Sequence, residues 1–251
     1  MNGRDHDHDP SKQRDTFRDR AYWDATVRQL ANWVDEYAAI LASGKYVRNQ
    51  RLRLAVLNDR LALLSAQYSR GEAVASLRPM FPPIIDALAA YRGDLWVARP
   101  PFDFSDIDQY VSALWLVALA VLLDADHQNV RRLVDVIDQE GKDAIFDRLV
   151  ALRIADRPQA TGLLYPRPYE YLLHALDEDG AERERLIILF LRRYYRGMRH
   201  TGWYDMHLRP EPGGFAGYWC FELAAFVKAL GIPDQAFADN VYYPRDLVTE
   251  Q

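Results

Sequence analysis

Apolar residues recur at alternating spacings of three and four along most of this chain. The first such run consists of Val27, Leu30, Val34, Tyr37 and Leu41. Because an α-helix turns once in about 3.6 residues, this spacing places the run on one helical face. No stretch alternates with a period of two for long enough to indicate a strand. We therefore expect an all-α fold, either a helical bundle or stacked helical hairpins in two packed halves.

Glycine, proline and serine residues divide the chain into successive helices. Ser43-Gly44 separates the first run from a second at about 54–68, so these two helices are predicted to pair as an antiparallel hairpin. Ser105 is the predicted cap of a helix that extends to Leu122 and, being apolar on nearly every face, is expected to be central. The remaining helices are predicted at about 84–95, 129–137, 142–154, 169–176, 183–198 and 218–230.

A segment rich in proline and glycine, about 156–168, is the predicted boundary between two halves. We predict a flexible charged tail at 1–15, an N-terminal helical domain at 16–156 and a C-terminal helical domain at 157–251. The alternating Asp and His residues at 5–9 are of metal-ligand type. A flexible tail cannot hold a coordination geometry, so no metal site is expected there.

The charge and cysteine content restrict the function classes. A formal net charge of -5 disfavours direct nucleic-acid binding and favours a basic protein partner. Cys220 is the single cysteine, so no intrachain disulfide can form and a reducing compartment is expected. The first 19 residues lack the apolar core of a signal peptide, and the apolar stretch 110–123 is shorter than the roughly 20 residues of a membrane span. We predict a cytoplasmic protein with no membrane partner.

The sequence holds little that indicates catalysis. His200, His207 and Glu222 could form a two-His, one-carboxylate metal set, but their spacing is not helical and structural roles are favoured. Cys220 stands in an apolar run and is expected to be a small buried residue rather than a nucleophile. We predict no catalytic residue, no metal and no cofactor.

One enzymatic alternative remains open. Arg193 and His200 are separated by six residues near the end of an arginine-rich helix, a spacing that resembles the Arg-to-His motif of HEPN-type ribonucleases. In that motif the pair flanks the scissile phosphate. Arginines at the end of a helix also complement its dipole, which is the structural interpretation of the same residues.

The C-terminal segment contains an ordered series of aromatic, acidic, glycine and proline residues: Trp203, Tyr204, His207, Gly217, Tyr218, Trp219, Phe221, Glu222, Tyr242, Tyr243 and Pro244. This series resembles the PoNe immunity protein (PoNi) family. The resemblance extends over about 15–249, and its N-terminal part rests on the helical pattern and a core that includes Trp115. We expect the signature residues to be structural, with Trp115, Tyr218, Trp219 and Phe221 buried. Glu222 should then need an arginine or backbone donors.

The resemblance implies two helical domains and an antitoxin for a DNA-degrading effector, delivered by a type VI or related secretion system and encoded beside it. The predicted toxin-binding residues form two acidic groups: Asp103, Asp106 and Asp108, and Asp177, Glu178 and Asp179. Such carboxylates can cap helices and face solvent, or they can complement the cationic groove of a nuclease. A helical scaffold without a toxin partner is a further alternative, and the sequence leaves the oligomeric state open.

Overall fold

A computed structural model of the chain describes residues 13–44, 49–93 and 102–250. All regular secondary structure within these ranges is helical, which confirms the all-α prediction. The α-helices are α1 (Arg20–Ala42), α2 (Gln50–Arg70), α3 (Val74–Leu77), α4 (Phe81–Gly93), α5 (Ile107–Leu122), α6 (His127–Ile137), α7 (Ala144–Ala151), α8 (Pro166–Asp177), α9 (Gly180–Gly197), α10 (Phe221–Leu230) and α11 (Asp246–Thr249). The Asp and His residues at 5–9, most of the predicted tail and Leu95 lie outside the described ranges.

The first two long helices pack against each other along their lengths, in agreement with the predicted hairpin. The side chain of Asp19 begins α1 by accepting the N–H of Tyr22 at 2.8 Å. Asn49 begins α2 in the same way, accepting the N–H of Leu52 at 3.0 Å. These caps satisfy N–H groups that have no partner within the first helical turn. A left-handed glycine, Gly71, ends α2.

Helix α5 lies at the centre of the fold, as its apolar composition predicts. Nearly every side chain from Tyr110 to Leu123 is buried, and α10 packs along the helix. Its cap differs from the prediction: the carboxylate of Asp106, not the hydroxyl of Ser105, accepts the N–H of Asp108, at 2.9 Å. The Ser105 hydroxyl instead donates to Asp103 at 2.7 Å. Since the charged carboxylate lies one residue nearer to the helix, it is the group that meets the exposed N–H groups and the positive end of the dipole.

One hydrophobic core extends from α2 to α11, and a smaller one joins α1 to the segment before α10. The larger core contains buried residues from both predicted halves, including Leu114, Phe146, Tyr169 and Phe221. The buried carboxylate of Asp143 holds the segment between the halves in place. It accepts the hydroxyl of Tyr110 at 2.9 Å and the backbone N–H of Leu164, within that segment, at 2.8 Å. The division into domains at 156 and 157 stays a prediction.

Helix α10 begins at Phe221, three residues later than predicted. The backbone N–H of Cys220 donates to the carbonyl of Tyr242 at 2.8 Å, so the residues before α10 are held by the C-terminal segment rather than by helical bonds. Across the described ranges no helix combines the length and the apolar character that crossing a membrane requires.

Candidate functional site

The first acidic group lies at the N-terminal end of α5. Asp103 and Asp106 are exposed, whereas Asp108 is half-buried. The Asp108 carboxylate accepts the backbone N–H of Gly202 at 2.8 and 3.0 Å, which links the start of α5 to the turn after α9. Burial raises the pKa of Asp108 above its ordinary value. All three carboxylates thus bond within the fold, since Asp103 accepts from Ser105, Asp106 caps the helix and Asp108 joins two elements.

The second acidic group lies in the turn between α8 and α9. Asp177 pairs with Arg148 at 2.6 Å, and this pair connects α8 to α7. Glu178 and Asp179 are exposed, and Asp179 stands at the cap position of α9 without a capping side-chain bond. Neither of these two side chains has a hydrogen bond or ion pair to another residue in the described ranges. Their charges therefore face solvent and are available to a partner.

The two acidic groups do not form one surface. The Tyr165 hydroxyl, immediately before α8, donates to the carbonyl of Phe104 at 3.0 Å, and Asp108 binds Gly202 just after α9. The first group is thus near the open end of the α8–α9 hairpin, whereas the second is at its closed end. Helix α8 has 12 residues and is about 18 Å long. A partner could contact both groups only by covering the length of this hairpin.

The aromatic signature residues come together around Tyr218. Its hydroxyl lies 2.7 Å from Nδ1 of His207, and its ring contacts those of Trp203 at 5.4 Å and Phe215 at 4.5 Å between centroids. Tyr218, Trp219 and Phe221 are buried as predicted. Trp115 is partly buried and stacks on Trp203, so its burial is less complete than expected. This cluster is a packing core that joins the C-terminal segment to α1.

The partners of Glu222 agree with the prediction only in part. Its side chain is fully buried, and the carboxylate bonds the backbone N–H of the same residue, as expected. Oε1 also accepts the hydroxyl of Tyr169 at 2.9 Å, a donor that was not predicted. Burial raises the pKa of Glu222 from 4.5 to about 7. A carboxyl that is partly neutral at physiological pH needs no cation, which explains how it fits into an apolar helix without one.

Among the described residues, those considered for catalysis or metal binding do not converge on one site. Within residues 13–44, 49–93 and 102–250, no three His, Cys, Asp or Glu side chains converge in the manner of a metal site. Burial raises the pKa of the Cys220 thiol well above its ordinary value, which disfavours the reactive thiolate. Arg193 lies over the ring of Tyr171, 4.6 Å from its centroid, and donates to the hydroxyl of the same residue. His200 is exposed, beyond the end of α9, and among the described contacts none joins it to Arg193.

One surface was not predicted from the sequence. A cavity of about 590 Å³ opens beside the loop that connects Trp203 to Phe215 within the aromatic cluster. Its lining is formed by Trp33, Met206, Leu208, Arg209, Pro210, Glu211, Pro212 and Gly214. The sequence holds only a weak signal for it, because Trp33 lies at the edge of the apolar stripe of α1 and is partly buried against the smaller core.

Two family models match the chain. Residues 14–135 match the model described as PoNe immunity protein (PoNi), N-terminal, and residues 141–247 match that of PoNe immunity proteins (PoNi), C-terminal. The chain is also similar to the crystal structure of protein PA2201 from Pseudomonas aeruginosa, with a TM-score of 0.75 and 23% identity over 96% of this chain and 92% of that chain. At that identity the likeness supports the fold alone. No curated protein matches the chain.

Proposed function

Since this chain belongs to the PoNe immunity protein family, we propose that it protects its own cell by binding a cognate nuclease toxin and occluding the active site of that toxin. The observation that supports this most directly is the pair of family matches, which extends from residue 14 to residue 247. We further propose that the toxin is a DNase effector of a type VI or related secretion system, encoded nearby, and that the immunity protein acts in the cytoplasm.

Inhibition in this proposal works by occupancy and uses no cofactor. A stable complex of this kind buries about 800 Å² on each partner. Protection from a nuclease also requires tight binding, with a Kd of about a nanomolar, because a few free toxin molecules can be lethal.

The acidic turn between α8 and α9 is the proposed main contact. Glu178 and Asp179 are exposed, and the fold does not use their carboxylates, so a toxin can desolvate them without breaking an internal bond. The group at the start of α5 is proposed as a second contact, with Asp103 and Asp106 as its exposed members. A nuclease binds phosphates in a cationic groove, and anionic patches complement such a groove and accelerate association.

The test of binding is purification of the protein together with the product of the adjacent toxin gene, followed by a DNA cleavage assay. We expect a complex that survives chromatography and a toxin that no longer cleaves DNA. A toxin that is captured but still active would contradict occlusion. A protein that captures no toxin would favour the scaffold alternative.

The test of the contact surface is the association rate at increasing salt. The change of Glu178→Gln with Asp179→Asn should lower the on-rate and flatten its salt dependence, because screening shortens the Debye length from about 10 Å at 0.1 M to about 3 Å at 1 M. The matched control is Asp35→Asn with Glu36→Gln, which removes the same charge from exposed positions on α1. Asp103→Asn with Asp106→Asn tests the other group and keeps a capping residue. Equal rates for all variants would exclude both groups.

The ribonuclease alternative has a separate test. Purified protein is incubated with RNA beside a His200→Ala variant, which changes an exposed side chain outside the helices and should fold normally. We expect no cleavage by either protein. Cleavage by the parent that is lost in the variant would establish the Arg193 and His200 alternative.

A further inference from the structure

The loop from Asp205 to Gly214 is held rigidly against the rest of the protein. Its His207 N–H donates to the Tyr218 hydroxyl at 3.1 Å, and its Arg209 carbonyl accepts from the guanidinium of Arg18 at 2.7 Å. Gly213 packs so closely on Trp33 that an added Cβ would come within 2.8 Å of the indole ring. A loop fixed at these points loses little conformational entropy when it binds a partner.

This rigid loop presents an apolar side chain to solvent. Leu208 is 68% exposed and is the most exposed of the large hydrophobic residues in the described ranges. It stands at the rim of the 590 Å³ cavity, whose walls include Trp33, Met206 and Pro212. Leu208 and the apolar walls of the cavity together form a contiguous apolar surface, and it is such a surface, rather than a single exposed leucine, that marks an interaction site.

The charges at the tip of the loop, residues 208–212, are balanced and arranged symmetrically. Arg209 and Glu211 stand on either side of Pro210, and all three residues are exposed. Among the residues that the structure describes, neither charged side chain has a hydrogen bond or ion pair. A positive and a negative side chain at equal distances from Pro210 form a pattern that complements itself when rotated by half a turn.

We infer that this loop is the interface of a twofold homodimer, which goes beyond the proposed function. With the axis at Pro210, the two loops run antiparallel and each Arg209 meets Glu211 of the second copy. The same register places Leu208 against Pro212 of the other copy, and Pro212 lines the cavity that would receive it. One twofold rotation thus places each Leu208 against the cavity of the other copy and pairs both charged side chains.

The charge balance favours a second copy over the toxin as the occupant. A partner with a cationic groove should be met by a surface with net negative charge, as at Glu178 and Asp179. The tip of the loop, residues 208–212, has one positive and one negative group and offers no such excess. The remaining acid of the loop, Asp205, lies at its base and accepts the hydroxyl of Tyr195. Its complement is a surface with the same two charges in the reverse order, which is the loop itself.

The experiment measures the mass of the full-length protein over a wide range of concentrations by analytical ultracentrifugation. We expect a dimer for the parent. Arg209→Glu and Glu211→Arg should each weaken the dimer by at least about tenfold in Kd, since each creates two like-charge pairs across the axis. An equimolar mixture of these two variants should form a heterodimer, because opposite charges then face each other again. The glutamate introduced at position 209 meets the arginine introduced at position 211, and the native Glu211 of the first variant meets the native Arg209 of the second.

Leu208→Lys should also give a monomer, whereas Leu230→Lys, at another exposed leucine, should leave the dimer intact. Melting curves confirm that each variant is folded. A parent that stays monomeric at all concentrations overturns the inference, as does a mixture that fails to pair. If the parent is monomeric and Leu208→Lys loses only the capture of purified toxin domain, the surface belongs to the toxin interface and the second copy is excluded.

Discussion

The hydroxyl of Tyr169 donates a 2.9 Å hydrogen bond to the buried carboxyl of Glu222, and this bond joins α8 to α10. Both side chains are fully buried, so the bond lies in a medium where an unpaired polar group is expensive. Burial raises the pKa of Glu222 to about 7, which makes the stability of the fold dependent on pH.

Glu222→Gln should remove a pH-dependent loss of stability. The unfolded chain releases the Glu222 proton near 4.5 and the folded protein near 7, so the folded state binds more protons between these values. The free energy of unfolding of the parent therefore falls as pH rises through this window. Glutamine resembles the protonated acid, so the variant should match the parent near pH 4 and exceed it by about 3 kcal/mol near pH 8. Urea denaturation at several pH values measures both curves, and parallel curves would contradict the expected result.

Tyr169→Phe should act on the same bond from the other side. The change leaves the carboxyl without the hydroxyl donor, which should destabilise the protein by about 1–3 kcal/mol and raise the pKa of Glu222 further. In the background of Glu222→Gln the same change should cost less, because the charged form is no longer present. A double-mutant cycle measures this coupling, and additive effects would show that the bond contributes little.

Gly217→Ala should destabilise far more than Gly44→Ala. Both glycines have positive φ, +114° and +68°, so each change strains the backbone. At Gly44 no atom lies within 4 Å of an added Cβ, whereas at Gly217 it would come within 2.4 Å of the Trp219 indole nitrogen. We expect the free energy of unfolding to fall by about 1 kcal/mol for Gly44→Ala and by at least about 2 kcal/mol more for Gly217→Ala. Equal losses of stability in chemical denaturation would mean that the aromatic cluster accommodates the added methyl group at little cost.

Trp219→Ala should remove about 3–5 kcal/mol of stability, as expected for a large buried ring. The ring contacts that of Tyr68 edge-on at 4.9 Å, and its N–H donates to the Ser69 hydroxyl at 2.8 Å. Leu230→Ala is the control, because that side chain is half exposed. The free energy of unfolding from denaturant titration is the readout, and a variant as stable as the parent would refute the core assignment.

Asp106→Ala should lower the stability of the protein by about 1 kcal/mol, because it removes the cap of α5. Asp106→Asn should lower the stability by only a few tenths of a kcal/mol. The asparagine oxygen can still accept the N–H of Asp108, so the comparison separates the cap from the charge. Ser105→Ala should have a small effect, since its hydroxyl does not bond the helix. A larger loss for Ser105→Ala than for Asp106→Ala would reverse the assignment, and thermal melting is the measurement.

The elements of the fold could be predicted because they depend on local information. The spacing of Val27, Leu30 and Val34 sets a helical face, and the apolar run before Leu123 requires a central position. The burial of Tyr218, Trp219 and Phe221 was likewise predictable, because these large rings follow one another within an apolar run. The family signature could also be read directly from the order of these residues.

Contacts between distant parts of the chain were decided by the tertiary structure. Tyr169 and Glu222 are 53 positions apart, and no local pattern indicates that a phenol rather than an arginine would meet the acid. The two acidic groups look alike in sequence, but packing uses Asp106 and Asp108 internally and leaves Glu178 and Asp179 to solvent. The sequence by itself determined where the helices form, through hydrophobic periodicity and capping chemistry. Only the packing of those helices determined which polar groups lose water and which stay exposed, because that depends on neighbours supplied from elsewhere in the chain.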